Sequence, residues 1–210
     1  LKKYVTIFIL FMPLTCYLQS VGLEIGNTRS YFDYKNSTGA AVGTYLPNGG
    51  VNLGLSYYQP VYKDILALKL GLSYKTINTT GVVAVNTLRY RSDFIGIYTM
   101  AMLTLARFDR FNSCFTKRSL RWYLLVGGRA STMVEGSQQV DFRVYDLRKE
   151  PEFQGIWLAP SAGMQLEYGI SDTSTFFINY HYDHYFHLKS TEEKVAINNQ
   201  VIGLGLRAEL

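Results

Sequence analysis

Residues 64–75 read DILALKLGLSYK. On an extended chain Leu66, Leu68, Leu70, Leu72 and Tyr74 fall on one face, and Ala67, Lys69, Gly71, Ser73 and Lys75 on the other. One face is greasy and ends in an aromatic ring; the opposite face is small or charged. A strand that crosses a bilayer needs about 9–11 residues of this kind. The length of the alternation is what separates it from the strand of a soluble sandwich, which averages about five or six residues.

The pattern recurs along the chain. Leu120, Trp122, Leu124 and Val126 oppose Arg121, Tyr123, Leu125, Gly127 and Arg129. Ile156, Leu158, Pro160, Ala162, Met164, Leu166 and Tyr168 oppose Trp157, Ala159, Ser161, Gly163, Gln165 and Glu167. Phe176, Ile178, Tyr180 and Tyr182 oppose Asn179, His181, Asp183 and Tyr185, and Ile202, Leu204, Leu206, Ala208 and Leu210 oppose Gly203, Gly205, Arg207 and Glu209. Less regular strands are expected from Val21 towards Tyr34, over Val51–Tyr57, and over Leu88–Leu103, where Arg89, Arg91 and Asp93 precede an apolar run. The sum is eight strands, the even number that a closed single-chain barrel requires. The predicted fold is all-β, an eight-stranded antiparallel transmembrane up-and-down β-barrel.

Composition agrees with this. The chain holds 17 Tyr, 12 Phe and 18 Gly but only 5 Pro, a profile that favours strands over helices. Its formal charge of +5 comes from basic residues scattered singly among acids, unlike a surface that neutralises several phosphates, so no nucleic-acid partner is expected. Residues 1–20 have a basic head at Lys2 and Lys3, an apolar run from Val5 to Leu14 and a polar end at Ser20. That is the pattern of a secretory signal peptide cleaved near Ser20, leaving residues 21–210 as the barrel domain. Cys16 lacks the flanking residues of a lipidation signal. Cleavage after Ser20 leaves Cys114 without an intrachain partner, which argues against a disulfide-stapled secreted fold.

With both termini at the periplasmic end, external connections are expected at 35–50, 77–87, 131–154 and 188–198. Short turns are expected at 59–63 and 169–172, and 106–118 is longer than such a turn should be. The uncharged stretch 40–50 reads as a mobile external loop. The charged and aromatic stretch 142–153 reads as a solvated surface loop, with contact to lipid head groups, a host surface or a partner protein as the alternative.

The interior is expected to hold Glu24, Lys69, Lys75, Arg89, Arg91, Asp93, Arg121, Arg129, Glu167, Asp183, Arg207 and Glu209. In a narrow lumen such charges must pair. A salt-bridged plug follows, since eight strands leave little room to conduct. The segment NYHYDHYFH, residues 179–187, contains all three histidines. His181, Asp183 and His187 share a face and His184 points away. A carboxylate beside a histidine can serve a general base, with Ser171, Ser174 or Ser190 as nearby hydroxyls. His181 and His187 lie roughly 20 Å apart along a strand, too far for one metal ion. Neither a metal nor a cofactor is expected, and no catalytic residue is assigned. Tyr57, Tyr74, Tyr90, Trp122, Tyr180, Tyr182 and Tyr185 fit the aromatic girdles of a membrane barrel.

Three segments carry a family resemblance: RYRSDFIGIYTMAML (89–103), WYLLVGGRAS (122–131) and WLAPSAGMQLEYGI (157–170). With the signal peptide and the glycine-bearing strands, they resemble the small outer-membrane barrels of the OmpA/OmpX-like group, including the PorT-like outer-membrane β-barrel families. A last strand ending in apolar Leu210 is similar to the signal read by the outer-membrane assembly machinery. The resemblance implies a multi-pass protein of the bacterial outer membrane, in contact with outer-membrane lipid and lipopolysaccharide, and selects no function. The protein is expected to be non-enzymatic. It would act as a structural or interaction module through its external loops, with an envelope or surface protein as a possible partner. The alternatives are a lipid- or lipopolysaccharide-modifying hydrolase and a secretion-associated accessory barrel.

Overall fold

The computed structural model describes residues 19–35, 44–83, 86–111, 117–151, 153–187 and 194–210. The strands are β1 (Ser20–Lys35), β2 (Thr44–Tyr62), β3 (Leu66–Val83), β4 (Asn86–Phe111), β5 (Lys117–Val140), β6 (Arg143–Asp146), β7 (Ile156–Gly169), β8 (Ser174–His187) and β9 (Lys194–Glu209). All but β6 form a closed antiparallel ring, sealed by β4 against β5 and by β1 against β9. The hydrogen-bonded row Thr132, Ile95, Tyr74, Leu53, Ile25, Leu204, Ile178, Leu166 returns to β5 at Trp122, ten residues from where it began. Such a stagger is what tilts the strands of a closed barrel.

Period-two alternation decides inside from outside. Leu23 and Ile25, Leu53 and Leu55, Ile95 and Ile97, and Leu204 and Leu206 are exposed on the outer wall, while Glu24, Ser56, Tyr98 and Arg207 between or beside them are buried. A soluble protein does not encircle itself with large apolar side chains. A barrel in lipid must, because its closed ladder satisfies every backbone group and leaves only side chains to meet the acyl chains. No described helix is long and apolar enough to cross a membrane. Trp122, Tyr168, Tyr180 and Tyr182 belong to the outer wall as expected. Tyr90 and Tyr185 do not: Tyr185 is buried and Tyr90 packs against the interior.

The strands exceed the sequence expectation at one end. β4 has 26 residues and β5 has 24, more than twice what a bilayer needs. The expected external connection at 77–87 is mostly strand, with β3 and β4 paired up to Val83 opposite Asn86. Residues 131–140 also stay in β5, and the chain turns at Asp141–Phe142 into β6, which lies back on β5. Thr44–Gly50 is strand rather than loop, and residues 40–43 and 188–193 lie outside the described residues. The awkward stretch 106–118 is largely hairpin: Arg107 pairs with Arg121 and Phe111 with Lys117, and Cys114 lies outside the described residues. The turns at 63–65 and 170–173 are short, which marks that end as periplasmic. A register shift opposite Asp93 and Phe94 leaves Val134 of β5 as an extra residue, while β4 pairs with β3 without interruption. Arg89 and Arg91 keep the outward face of Ile95 and Ile97 and lie exposed above the apolar wall, against expectation, while Asp93 stays buried.

Candidate functional site: a charged lumen beneath an aromatic cap

Four carboxylates, Glu24, Asp93, Glu167 and Asp183, and four cations, Lys69, Lys75, Arg129 and Arg207, are buried. Buried charges must be matched, and in the lumen they are matched in tiers. At the periplasmic end Arg207 donates to Glu167 at 2.8 Å, and Gln165 donates to the same oxygen at 2.7 Å. In the middle Glu24 accepts from Lys69 (3.2 Å), Asn179 (2.7 Å) and Asn52 (2.9 Å). Above it Asp183 accepts from Lys75, from Arg129 Nε at 3.0 Å, from Ser161 at 2.6 Å and from Asn199 at 3.4 Å.

Seven strands supply these groups, so the network ties opposite walls together. On the β4–β5 side the wall is apolar instead: Tyr98, Met100, Met102, Tyr123 and Leu125. The cations rest on aromatic faces, with Lys69 5.0 Å from the Phe177 ring and Arg129 4.6 Å from the Tyr98 ring. Glycine makes the room. A Cβ at Gly71 would run into the Tyr98 ring, and one at Gly205 into Phe177.

The external third of the lumen is different in kind. Phe32, Ile77, Phe94, Trp157, Tyr185 and Ile197 point inward from the strands, and Leu147 and Phe153 are brought in from the connection after β6. Trp157 stands edge-on to Phe94 (5.9 Å, 84°) and donates from Nε1 to the Phe153 carbonyl at 3.3 Å. Asp146 starts the single 3-10 turn Leu147–Lys149 by accepting from the Arg148 amide at 3.0 Å, and this turn drops Leu147 into the mouth. The connection expected to be solvated is therefore partly a lid, and no alternation announces it. The signal available in the sequence was the pair of large apolar residues, Leu147 and Phe153, inside a charged segment.

Of the other predicted interior residues Asp93 joins none of these tiers, its ion pair being with exposed Arg91 at 3.8 Å, while the rest come together as expected, with Arg121 half-buried at the lower mouth. It lines a recess of about 490 Å³ open to the periplasmic end, together with Tyr58, Tyr123, Glu167, Arg207 and Glu209. The histidines separate as their spacing requires. His181 faces the lumen beside Asp183, and its Nε2 accepts from Arg129 Nη2 at 2.8 Å, since a guanidinium has only donors. Asp183 is engaged by Lys75, Arg129 and Asn199, and the Ser161 hydroxyl beside it is itself bonded to Asp183. Ser171 and Ser174 lie at the periplasmic turn, far along the strand, and Ser190 is outside the described residues. His187 sits at the upper mouth, with Nε2 on the Gln154 carbonyl and its ring 5.3 Å from Trp157. No group of three or more potential metal ligands occurs among the described residues.

These features define an outer-membrane-type transmembrane β-barrel. No protein family and no curated protein matches the chain in sequence. Solved structures do resemble it. Ail of Yersinia pestis, crystallised with the heparin analogue sucrose octasulfate, is 13% identical over 91% of this chain and 99% of its own, with a TM-score of 0.43. The N-terminal barrel domain of Pseudomonas aeruginosa OprF is 12% identical over 91% and 97%, with a TM-score of 0.41. The outer-membrane protease OmpT of Escherichia coli is 6% identical over 93% and 98%, with a TM-score of 0.49. At such identities and scores the likeness concerns architecture.

Proposed function

We propose that the chain resides in the bacterial outer membrane as a non-enzymatic, non-conducting module that meets a partner through its external rampart. Residues 1–20 serve as the export signal and the alternating strand β9 as the segment read by the assembly machinery. The finer kinship is with the OmpA/OmpX-like barrels and their PorT-like relatives. One observation carries this reading. The lumen is filled by ion pairs and closed above by aromatic rings, while the β5–β6 hairpin outside the membrane leaves Phe142 wholly exposed, Val144 70% exposed and Tyr145 45% exposed. An apolar, aromatic tip held on a rigid hairpin is costly in water and useful only in contact. Arg143 and Lys149 flank it and give the tip a polar rim.

The test is a photo-crosslinking amino acid at position 142 in intact cells, with position 124 on the outer barrel wall as reference. A specific protein or surface-polysaccharide adduct from 142, absent from 124, supports the module. Adducts from 142 to lipid alone, or none, overturn it.

A further inference from the structure

The recess at the periplasmic end, about 490 Å³, falls within the size range of a small-molecule site. Its charged lining residues are four bases and four acids, so it carries no net formal charge. Two of the bases are matched: Arg207 donates to Glu167, and Arg107 is held by Asp64 and Asp109. Arg121 belongs to none of these ion pairs, although it stands directly opposite Glu167 on β7. On its other side it faces a second arginine, Arg107 of β4. Like charges set across a strand pair repel, and the acid that could relieve Arg121 is in register yet unjoined.

The same side chains hold unspent hydrogen-bonding atoms. Among the described residues four buried atoms of charged groups lack a hydrogen-bond partner. Three of them, Arg121 Nε, Arg207 Nε and Glu167 Oε2, belong to residues that line this recess. Glu167 is 1% exposed and spends only Oε1, on Arg207 and Gln165. A buried polar atom so left is costly and calls for an occupant. A donor on β5 and an acceptor on β7 thus stay unmet across one strand pair, whose facing Cα atoms lie about 5 Å apart.

We propose that the recess binds a free α-amino acid with an apolar side chain. The ligand carboxylate accepts from the Arg121 guanidinium side-on, at Nε. The ammonium on the same carbon donates to the open Glu167 oxygen, so one zwitterion joins the two charges that the strands leave apart. Both protein atoms are buried, so binding turns the Arg121 side chain, a rotamer change of the kind that binding commonly brings. Tyr58, Leu66, Ala67 and Tyr123 give the recess an apolar side for the ligand's side chain. A simple anion fits less well, since it would meet Arg121 but set its charge against Glu167. The site goes beyond the external contact proposed above and needs only the closed barrel.

The experiment follows the Arg121 Nε–H resonance in the full chain folded in detergent at neutral pH, with Arg91 at the external end as the reference signal. The probes are L-leucine, N-acetyl-L-leucine, L-leucinamide and inorganic phosphate. Leucine is expected to shift Arg121 saturably and to leave Arg91 in place. Blocking either charged end should weaken binding at least about tenfold, the loss of one charged hydrogen-bonded contact. Glu167→Gln should bring leucine and N-acetyl-leucine to equal affinity, with leucinamide still weaker. Should that variant fail to fold, the analogue series on the wild-type chain decides alone. No saturable shift with leucine, equal binding of leucine and either blocked form, phosphate bound as tightly as leucine, or a folded Glu167→Gln that keeps the preference overturns the site while the barrel stands. A wild-type chain without a heat-dependent gel shift fails the barrel reading, and the site falls with it.

Discussion

The two halves of the lumen are closed by opposite physics. Below, Glu24, Glu167 and Asp183 are held by cations and amides from six strands, and removing any partner strands a charge in a poor solvent. Above, Phe32, Phe94, Phe153 and Trp157 close the mouth by ring contact with a single indole hydrogen bond among them, and two of the cap's residues come from a connection rather than a strand. The ionic half is specific in its partners and intolerant of single losses. The aromatic half is less particular about identity, but it needs volume.

The sharpest way to break that contrast is Asp183→Ala. It leaves Lys75 and Arg129 uncompensated, and the barrel is expected to lose about 3–5 kcal/mol in urea titrations. The triple variant Lys75→Met, Arg129→Met and Asp183→Leu should recover most of the loss, because apolar replacement removes the orphaned charges too. Failure of the triple to recover would mean that the tier acts by something other than charge matching. In the cap, Trp157→Ala should cost about 3 kcal/mol through the cavity it leaves, whereas Trp157→Phe should cost much less. Comparable losses for the two would show that the indole's bond to Phe153, not its volume, holds the lid.

Smaller effects sharpen the lid itself. His187→Ala removes the bond to the Gln154 carbonyl and the ring edge on Trp157, at about 1 kcal/mol. Its clearest readout should be faster proteolysis between Asp141 and Phe153. The least effect concerns pH. The Arg148 guanidinium, hydrogen-bonded to Asp146, holds that carboxyl below the usual range. A depressed folded-state pKa contributes order above the unfolded value of about 4 and loses it as pH falls through the folded one. Amide exchange at Arg148 should therefore quicken only in that acid window, and Asp146→Asn should abolish the dependence.

Most of the fold was legible because alternation is a local signal. Leu66 to Tyr74 and Ile202 to Ala208 declare their faces residue by residue, and the ionic tiers follow once those faces are known. Three things were not legible. Arg89 and Arg91 land outside on the same alternation as Ile95 and Ile97, because the outer face of β4 turns from apolar to charged above the membrane, and charge alone does not tell that face from the lumen. The length of β3, β4 and β5 above the membrane depends on partner strands, since residues such as Thr79, Thr80, Gln138 and Gln139 have no apolar face to betray a strand. The lid depends on Leu147 and Phe153 finding a mouth built by other strands. Of the candidate site, His181 and Asp183 were placed together correctly, but only the tertiary neighbours Arg129, Lys75 and Ser161 show that they are spent on structure.

The chain is a closed, ion-filled barrel of the outer membrane. The most direct test is the gel mobility of the chain from fractionated envelopes, unboiled and boiled. The predicted result is recovery in the outer-membrane fraction with a mobility shift on boiling, abolished at intermediate urea by Asp183→Ala. A soluble periplasmic chain with one mobility under both conditions would contradict it.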